Sequence, residues 1–210
     1  LKFMPGNEII GKEELNELKK IFSKSNGVLF AHAFEKRRNN IFRIRKFEKE
    51  LSKYFRSKYV QCVSSGTAAI KIALKALGVG YGDEVILSPL TVIACMNAIL
   101  YCNAIPVFAD VDMETFLIDP ADIKRKITSR TKAIMPIHLY GQVCNMTEIM
   151  AIANENNLGV VEDSAQNYLG THNGQLGGTF GDVSSWSFEN SKHITTGDGG
   201  IVALNNKKLA

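Results

Sequence analysis

The 210-residue sequence predicts an α/β fold: a doubly wound, mostly parallel sheet flanked by helices. Two observations carry that reading. From residue 59 onward, short apolar runs alternate with helical patterns, the order that builds parallel sheets. Those runs are β-branched and apolar, as strands covered on both faces require. A third observation concerns position. The polar clusters "SSGTAA", "EDSAQ" and "SFENSK" each close an apolar run, and such sheets bind ligands beyond the carboxyl ends of their strands.

Taken in order, "GKEELNELKKIF" (11–22) puts Leu15, Leu18 and Phe22 on one helical face, with Gly27 beyond as a stop. Residues 23–40 are polar and irregular. A basic stretch follows, "EKRRNNIFRIRKFEKELSKYFRSK" (35–58). Basic residues threaded with aromatics suit a nucleic-acid or phosphate surface. Yet Ile44, Phe47, Leu51 and Phe55 recur at three- and four-residue steps, which gives an amphipathic helix with a solvated charged face and calls for no nucleic-acid partner. "YVQCV" (59–63) reads as a strand and "GTAAIKIALKALG" (66–78) as a helix. "EVILS" (84–88), "VIACMNAILYC" (92–102) and "IPVFADV" (105–111) repeat the strand–helix–strand order. A helix over 119–127 has Pro120 near its start, where proline's fixed φ is tolerated. "KAIMPIH" (132–138), a helix over 145–156 and "LGVVED" (158–163) follow. Strands near 182–188 and 200–204 flank Lys192. The organisation expected is a helical segment, 1–58, packed on an α/β domain, 59–210. Neither end resembles a domain terminus, so the sequence reads as a piece of a longer protein.

Composition narrows the classes. With 45% hydrophobic and 22% charged residues the chain is globular in type. No uncharged run reaches the length of a membrane span, and no signal-peptide pattern opens the chain. The cysteines (Cys62, Cys95, Cys102, Cys144) lack CxxC or His-linked spacing, so no metal is expected; they read as free thiols of a reducing compartment, which favours the cytoplasm. Asp110 and Asp112 look like a carboxylate pair but lie where a strand runs into a turn, and no catalytic role is assigned to them.

The three strand-end clusters supply three kinds of chemistry. In "VSSGTAAI" (63–70) a strand gives way at once to a helix, whose free N–H groups and dipole attract anions. Gly66 would let backbone approach a phosphate and Thr67 would donate a hydroxyl; an ordinary N-cap fits the same residues. In "GVVEDSAQNYLG" (159–170), Glu162 and Asp163 face opposite sides of a strand, so one of them points at a given site. A carboxylate beside a nitrogen heterocycle keeps it protonated, and Gln166 could bond a neighbouring substituent; a cap on the next turn is the plain alternative. In "SWSFENSKHITTGDGG" (185–200), Lys192 could supply an amine, and Ser187 a second phosphate ligand. Phosphate cradle, ring-nitrogen acid and amine together are the parts that pyridoxal 5′-phosphate (PLP) requires.

"SSGTAA", "GDEVI", "FADVD", "FLIDP", "TKAIMPIHLYGQ", "VVEDSAQ" and "SFENSKHITTGDGG" occur in the order found in the DegT/DnrJ/EryC1/StrS family of sugar aminotransferases, and the chain resembles that family from about residue 10 to 210. The resemblance implies the large domain of a fold-type I PLP enzyme. It implies a Schiff base on Lys192, Asp163 against the pyridinium nitrogen, Gln166 near the 3-hydroxyl, and Gly66, Thr67 and Ser187 on the phosphate. Val92 falls where members usually stack an aromatic ring on the cofactor, and it cannot stack. His138 and Tyr140 could line the pocket, although a lone strand-end histidine is more often structural. Members are cytoplasmic homodimers that move an amino group from glutamate or glutamine to a nucleotide-linked keto-sugar, in making amino sugars for cell-surface polysaccharide such as lipopolysaccharide, or for secondary metabolites. They continue into a small C-terminal domain that nothing before Ala210 represents. Related 3-dehydratases carry histidine at the lysine position; Lys192 favours transamination. A dehydratase and a non-catalytic regulator remain as alternatives.

Overall fold

The computed structural model describes residues 6–24 and 41–210. Gly27 and residues 35–40 of the basic stretch lie outside the described residues.

Nine strands and six α-helices are described: α1 (Lys12–Lys24), α2 (Arg43–Phe55), β1 (Tyr59–Val63), α3 (Gly66–Ala76), β2 (Glu84–Leu87), α4 (Ile93–Leu100), β3 (Ile105–Phe108), α5 (Pro120–Lys126), β4 (Thr131–Met135), α6 (Met146–Asn156), β5 (Gly159–Asp163), β6 (Thr171–His172), β7 (Gln175–Leu176), β8 (Val183–Ser187) and β9 (Gly200–Leu204). Seven of the strands form one sheet in the order β1-β9-β8-β5-β4-β2-β3. The pairs from β8 through β3 are parallel, while β9 runs antiparallel to both β1 and β8. β1, β5 and β8 therefore all end at one edge of the sheet, and β9 starts there.

Side-chain alternation sorts the core into two layers. On one face Val85, Leu87, Ala133, Met135 and Val161 meet α3 and α4 through Ile70, Ala73, Leu74, Cys95 and Ile99. On the other, Ile86, Ile134 and Val160 meet Ile123 of α5 and Met146, Ile149 and Ile152 of α6. At the far end of that second face α2 lays Phe55 on Trp186, with ring centroids 4.0 Å apart, and Phe47 on Phe188 at 5.5 Å. Of the apolar stripe read on this helix, Phe55 is buried, while Ile44 is 63% exposed. The stripe on α1 is real but half open: Leu15, Leu18 and Phe22 are each exposed to about half their area.

Local signals explain the helix starts. Ser65 caps α3 by accepting the Ala68 N–H at 3.1 Å, Asp119 caps α5 through Ala121, and Asn145 caps α6 through Glu148. One expected strand is clearly shorter than read. "IPVFADV" pairs only as far as Phe108, because the Asp110 N–H turns away to the Asp122 carboxylate at 2.6 Å. Asp112 is spent on its own turn, accepting the N–H and hydroxyl of Thr115. The β6–β7 hairpin, with two residues per strand, was invisible to a periodicity argument.

Candidate functional site

Three chain segments meet at the carboxyl edge of the sheet, and close backbone approach is what joins them. A Cβ on Gly66, the first residue of α3, would sit 2.8 Å from the Cβ of Ser187 and 3.1 Å from its hydroxyl. A Cβ on Gly200, the first residue of β9, would sit 2.5 Å from the Ser65 carbonyl oxygen. Only glycine lets the β1–α3 turn, the end of β8 and the start of β9 press together this way. The result is a helix N-terminus flanked by the hydroxyls of Thr67 and Ser187.

Strand parity decides which acid faces the site. Val161 and Asp163 belong to the α3–α4 side of β5, Val160 and Glu162 to the opposite side. Asp163, 4% exposed, accepts the Ala165 N–H on Oδ1 at 2.9 Å and the Cys95 thiol on Oδ2 at 2.9 Å. Thr91 in turn donates its hydroxyl to the Cys95 sulfur at 3.1 Å. Burial first, and the Asp163 charge after it, push the thiol pKa of Cys95 upward. The same two causes raise the phenol of Tyr168, whose hydroxyl donates to the Ser187 carbonyl. Gln166 turns its Oε1 to the Tyr140 N–H at 2.8 Å, which leaves its amide NH2 as the remaining donor.

Lys192 rides on the loop from β8 to β9. Its N–H donates to the Glu189 carbonyl at 3.0 Å, and its carbonyl accepts the Gly6 N–H at 2.7 Å. Gly6 lies so close that a Cβ there would meet the Lys192 carbonyl oxygen at 2.5 Å. Glu189 accepts both the N–H and the hydroxyl of Ser191 on one carboxylate oxygen; that hydroxyl bond is the main reason its pKa is lowered, with the charge of Lys192 contributing less. Thr195 donates its hydroxyl to the Phe188 carbonyl at 2.9 Å, which ties the far side of the loop back to the strand end.

These segments enclose a cavity of about 380 Å³. Gly66, Thr67, Val92, Asp163, Gln166, Ser187 and Lys192 all line it. Thr91, Cys95, Glu189 and Asp198 line it too, and the sequence reading had not singled them out. The available clue for the first two was spacing: Cys95 stands four residues past Thr91, across the start of α4. Val92 is the N-cap of α4 and is 52% exposed.

His138 and Tyr140 are not brought to this cavity. His138 is fully buried on the opposite side of the sheet, its Nε2 2.9 Å from Glu162 and its Nδ1 accepting the Cys144 N–H at 3.3 Å. With Nδ1 an acceptor, Nε2 carries the proton given to Glu162. Glu162 spends its other lone pairs on the N–H groups of Gly178, Phe180 and Gly181 at 2.6–2.7 Å, so this pair braces the 178–181 turn. Tyr140 holds a positive φ of 53° and its side chain is 87% exposed. It reaches the site only through its backbone bond to Gln166. Among the described residues, no group of three or more His, Cys, Asp or Glu side chains could hold a metal ion, and no helix is long and apolar enough to cross a membrane.

The model of the DegT/DnrJ/EryC1/StrS aminotransferase family matches residues 36–210. The chain belongs to this family. It is 48% identical over 166 residues to GDP-perosamine synthase of Escherichia coli O157:H7, an alignment covering 79% of this chain and 46% of that protein. Among solved structures, an aminotransferase from Psychrobacter cryohalolentis superposes with a TM-score of 0.85 at 36% identity, over 95% of this chain and 49% of that one. The ntda protein of Bacillus subtilis, solved with bound cofactor PMP, gives a TM-score of 0.85 at 34% identity, over 100% of this chain and 46% of that one. The chain thus spans about half the length of the DegT/DnrJ/EryC1/StrS relatives it matches, and its fold is the PLP-aminotransferase fold that those structures share.

Proposed function

We propose that the protein is a PLP-dependent aminotransferase that carries an amino group from glutamate or glutamine to a nucleotide-linked keto-sugar. The single observation behind this reading is the gathering of Lys192, Asp163 and the Gly66–Thr67–Ser187 cradle around one cavity. The residues fit the cofactor. Gly66 lets the start of α3 close onto Ser187, and the resulting cradle on the cavity wall offers helix N–H groups and two hydroxyls to a phosphate. Asp163 lines the same cavity, one carboxylate oxygen held by an N–H and the other by a thiol. When bound, PLP supplies an electrophilic carbon for amines and an electron sink for the charge left at a substrate carbon.

The chain's own residues do the rest. Lys192 would provide the amine that holds the cofactor, and its amine would carry a proton to and from the substrate's α-carbon. Its loop is pinned at both flanks by Glu189 and Gly6, so the side chain has a fixed base from which to reach. Asp163 would favour a protonated ring nitrogen by supplying a carboxylate to it. Gln166 has its amide NH2 available to a ring oxygen, since its carbonyl is already bonded to Tyr140. In the first half-reaction the amino acid gives up its nitrogen and leaves as a 2-oxo acid; in the second the keto-sugar accepts that nitrogen.

The name of the Escherichia coli relative supports a GDP-linked or other nucleotide-linked sugar as acceptor. One structural neighbour is a 3-dehydratase, GDP-4-keto-6-deoxymannose-3-dehydratase, at 29% identity; the lysine at position 192 is the feature that favours transamination. The protein works in the cytoplasm as a homodimer, in amino-sugar synthesis for surface polysaccharide. Full-length protein saturated with PLP should show a visible absorbance band that Lys192→Ala abolishes, and should return a sugar product that retains nitrogen. No band in the wild-type protein would overturn the reading, and a nitrogen-free product would turn it to the dehydratase.

A further inference from the structure

A buried carboxylate that must face a cofactor needs something behind it to fix its orientation. Asp163 has two such supports, and they differ. Oδ1 is held by the Ala165 N–H, a backbone group that no side-chain change removes. Oδ2 is held by Cys95, 68 residues earlier on the first turn of α4.

The protons in this second support can be placed. An ionised carboxylate only accepts, so the Cys95 S–H must donate to Asp163. A thiol has one proton, so the sulfur must accept from Thr91, whose hydroxyl stands 3.1 Å away. The chain Thr91 O–H to Cys95 S–H to Asp163 thus has one polarity throughout. Cys95 is 2% exposed and lines the cavity together with Thr91 and Asp163. Thr91 lies just before the N-cap of α4, and its hydroxyl reaches the Cys95 sulfur on the helix's first turn.

We infer that Cys95 is a positioning residue for Asp163: its thiol, oriented by Thr91, fixes the carboxylate toward the cofactor's ring nitrogen while withdrawing little of its charge. A thiol is a weak donor. A hydroxyl would hold the carboxylate just as firmly but draw more charge from it; an apolar side chain would leave Oδ2 with no support from this side. Thiol chemistry is therefore a compromise between orientation and basicity. The inference rests on the reading of the cavity as a PLP site, and its test separates the two.

The bond can be read without cofactor from the infrared S–H stretch of the full-length apo protein. Subtracting the Cys95→Ala spectrum isolates the Cys95 band, which should lie on the low-frequency side of an unbonded thiol and move back toward it in Asp163→Asn. PLP affinity is the second readout. Cys95→Ala should weaken PLP binding by about 10-fold, the scale of one hydrogen bond to a charged group, and Cys95→Ser should restore it to within about 2-fold by supplying a donor again. A Cys95 band that Asp163→Asn does not move, or PLP binding in Cys95→Ala as tight as in wild type, would overturn the inference. If the band moves as expected but the wild-type protein takes up no PLP, the bond stands and the functional reading of the cavity fails.

Discussion

The two faces of β5 carry adjacent buried acids with opposite fates. On the back face Glu162 is 0% exposed and receives His138 and three backbone N–H groups, so it has no capacity left for a ligand. On the front face Asp163 is buried almost as deeply, yet it receives one N–H and one thiol and lines a cavity. Burial and charge do not separate these residues. What separates them is how completely the fold uses up their lone pairs: a saturated carboxylate holds the structure, and an undersaturated one is available for chemistry.

The sharpest way to break that comparison is to neutralise each acid in turn. Glu162→Gln puts an amide NH2 among N–H donors in a fully buried site, and it should cost about 3–5 kcal/mol of stability, seen as a lower denaturant midpoint. Asp163→Asn should change stability by less than about 1 kcal/mol but lower kcat/KM by about 10²–10⁴-fold. Equal stability losses in the two variants would erase the distinction. The cradle comes next. Gly66→Ala forces a Cβ to within 2.8 Å of Ser187; it should cost about 1–3 kcal/mol and weaken cofactor binding measurably in a fluorescence titration. Gly6→Ala presses on the Lys192 carbonyl at 2.5 Å without entering the cavity. Its effect should fall on the rate, with a loss of about 10-fold or less in kcat and little change in PLP affinity. The smallest effect belongs to Tyr140→Ala. Its side chain is 87% exposed and makes its contact with Gln166 through backbone, so stability and PLP affinity should stay within about 0.5 kcal/mol of wild type.

Much of the front face was legible in the sequence because its signals are local. "SSGTAA" writes a strand end, an N-cap and a helix start into consecutive residues, and "SFENSK" puts the Ser187 hydroxyl and the Lys192 amine within one turn of chain. Strand parity alone did not choose between Glu162 and Asp163; the family resemblance did. Parity says that they diverge, but which face is the cavity depends on where α4 packs. Cys95 was missed for the same reason, since its partner lies 68 residues away. The antiparallel direction of β9 is also nonlocal: its five residues look the same read either way, and only the long loop that returns from β8 sets it. His138 shows the opposite hazard. A strand-end histidine near a motif looks functional until its ring is found spent on Glu162 and Cys144.

The central claim, that the front face holds PLP through Lys192, is tested most directly by borohydride reduction of the full-length protein with PLP, followed by peptide mapping. The account predicts a single cofactor-bearing peptide, the one containing Lys192, and its disappearance in Lys192→Ala. A cofactor fixed to a different lysine, or to none, would contradict it.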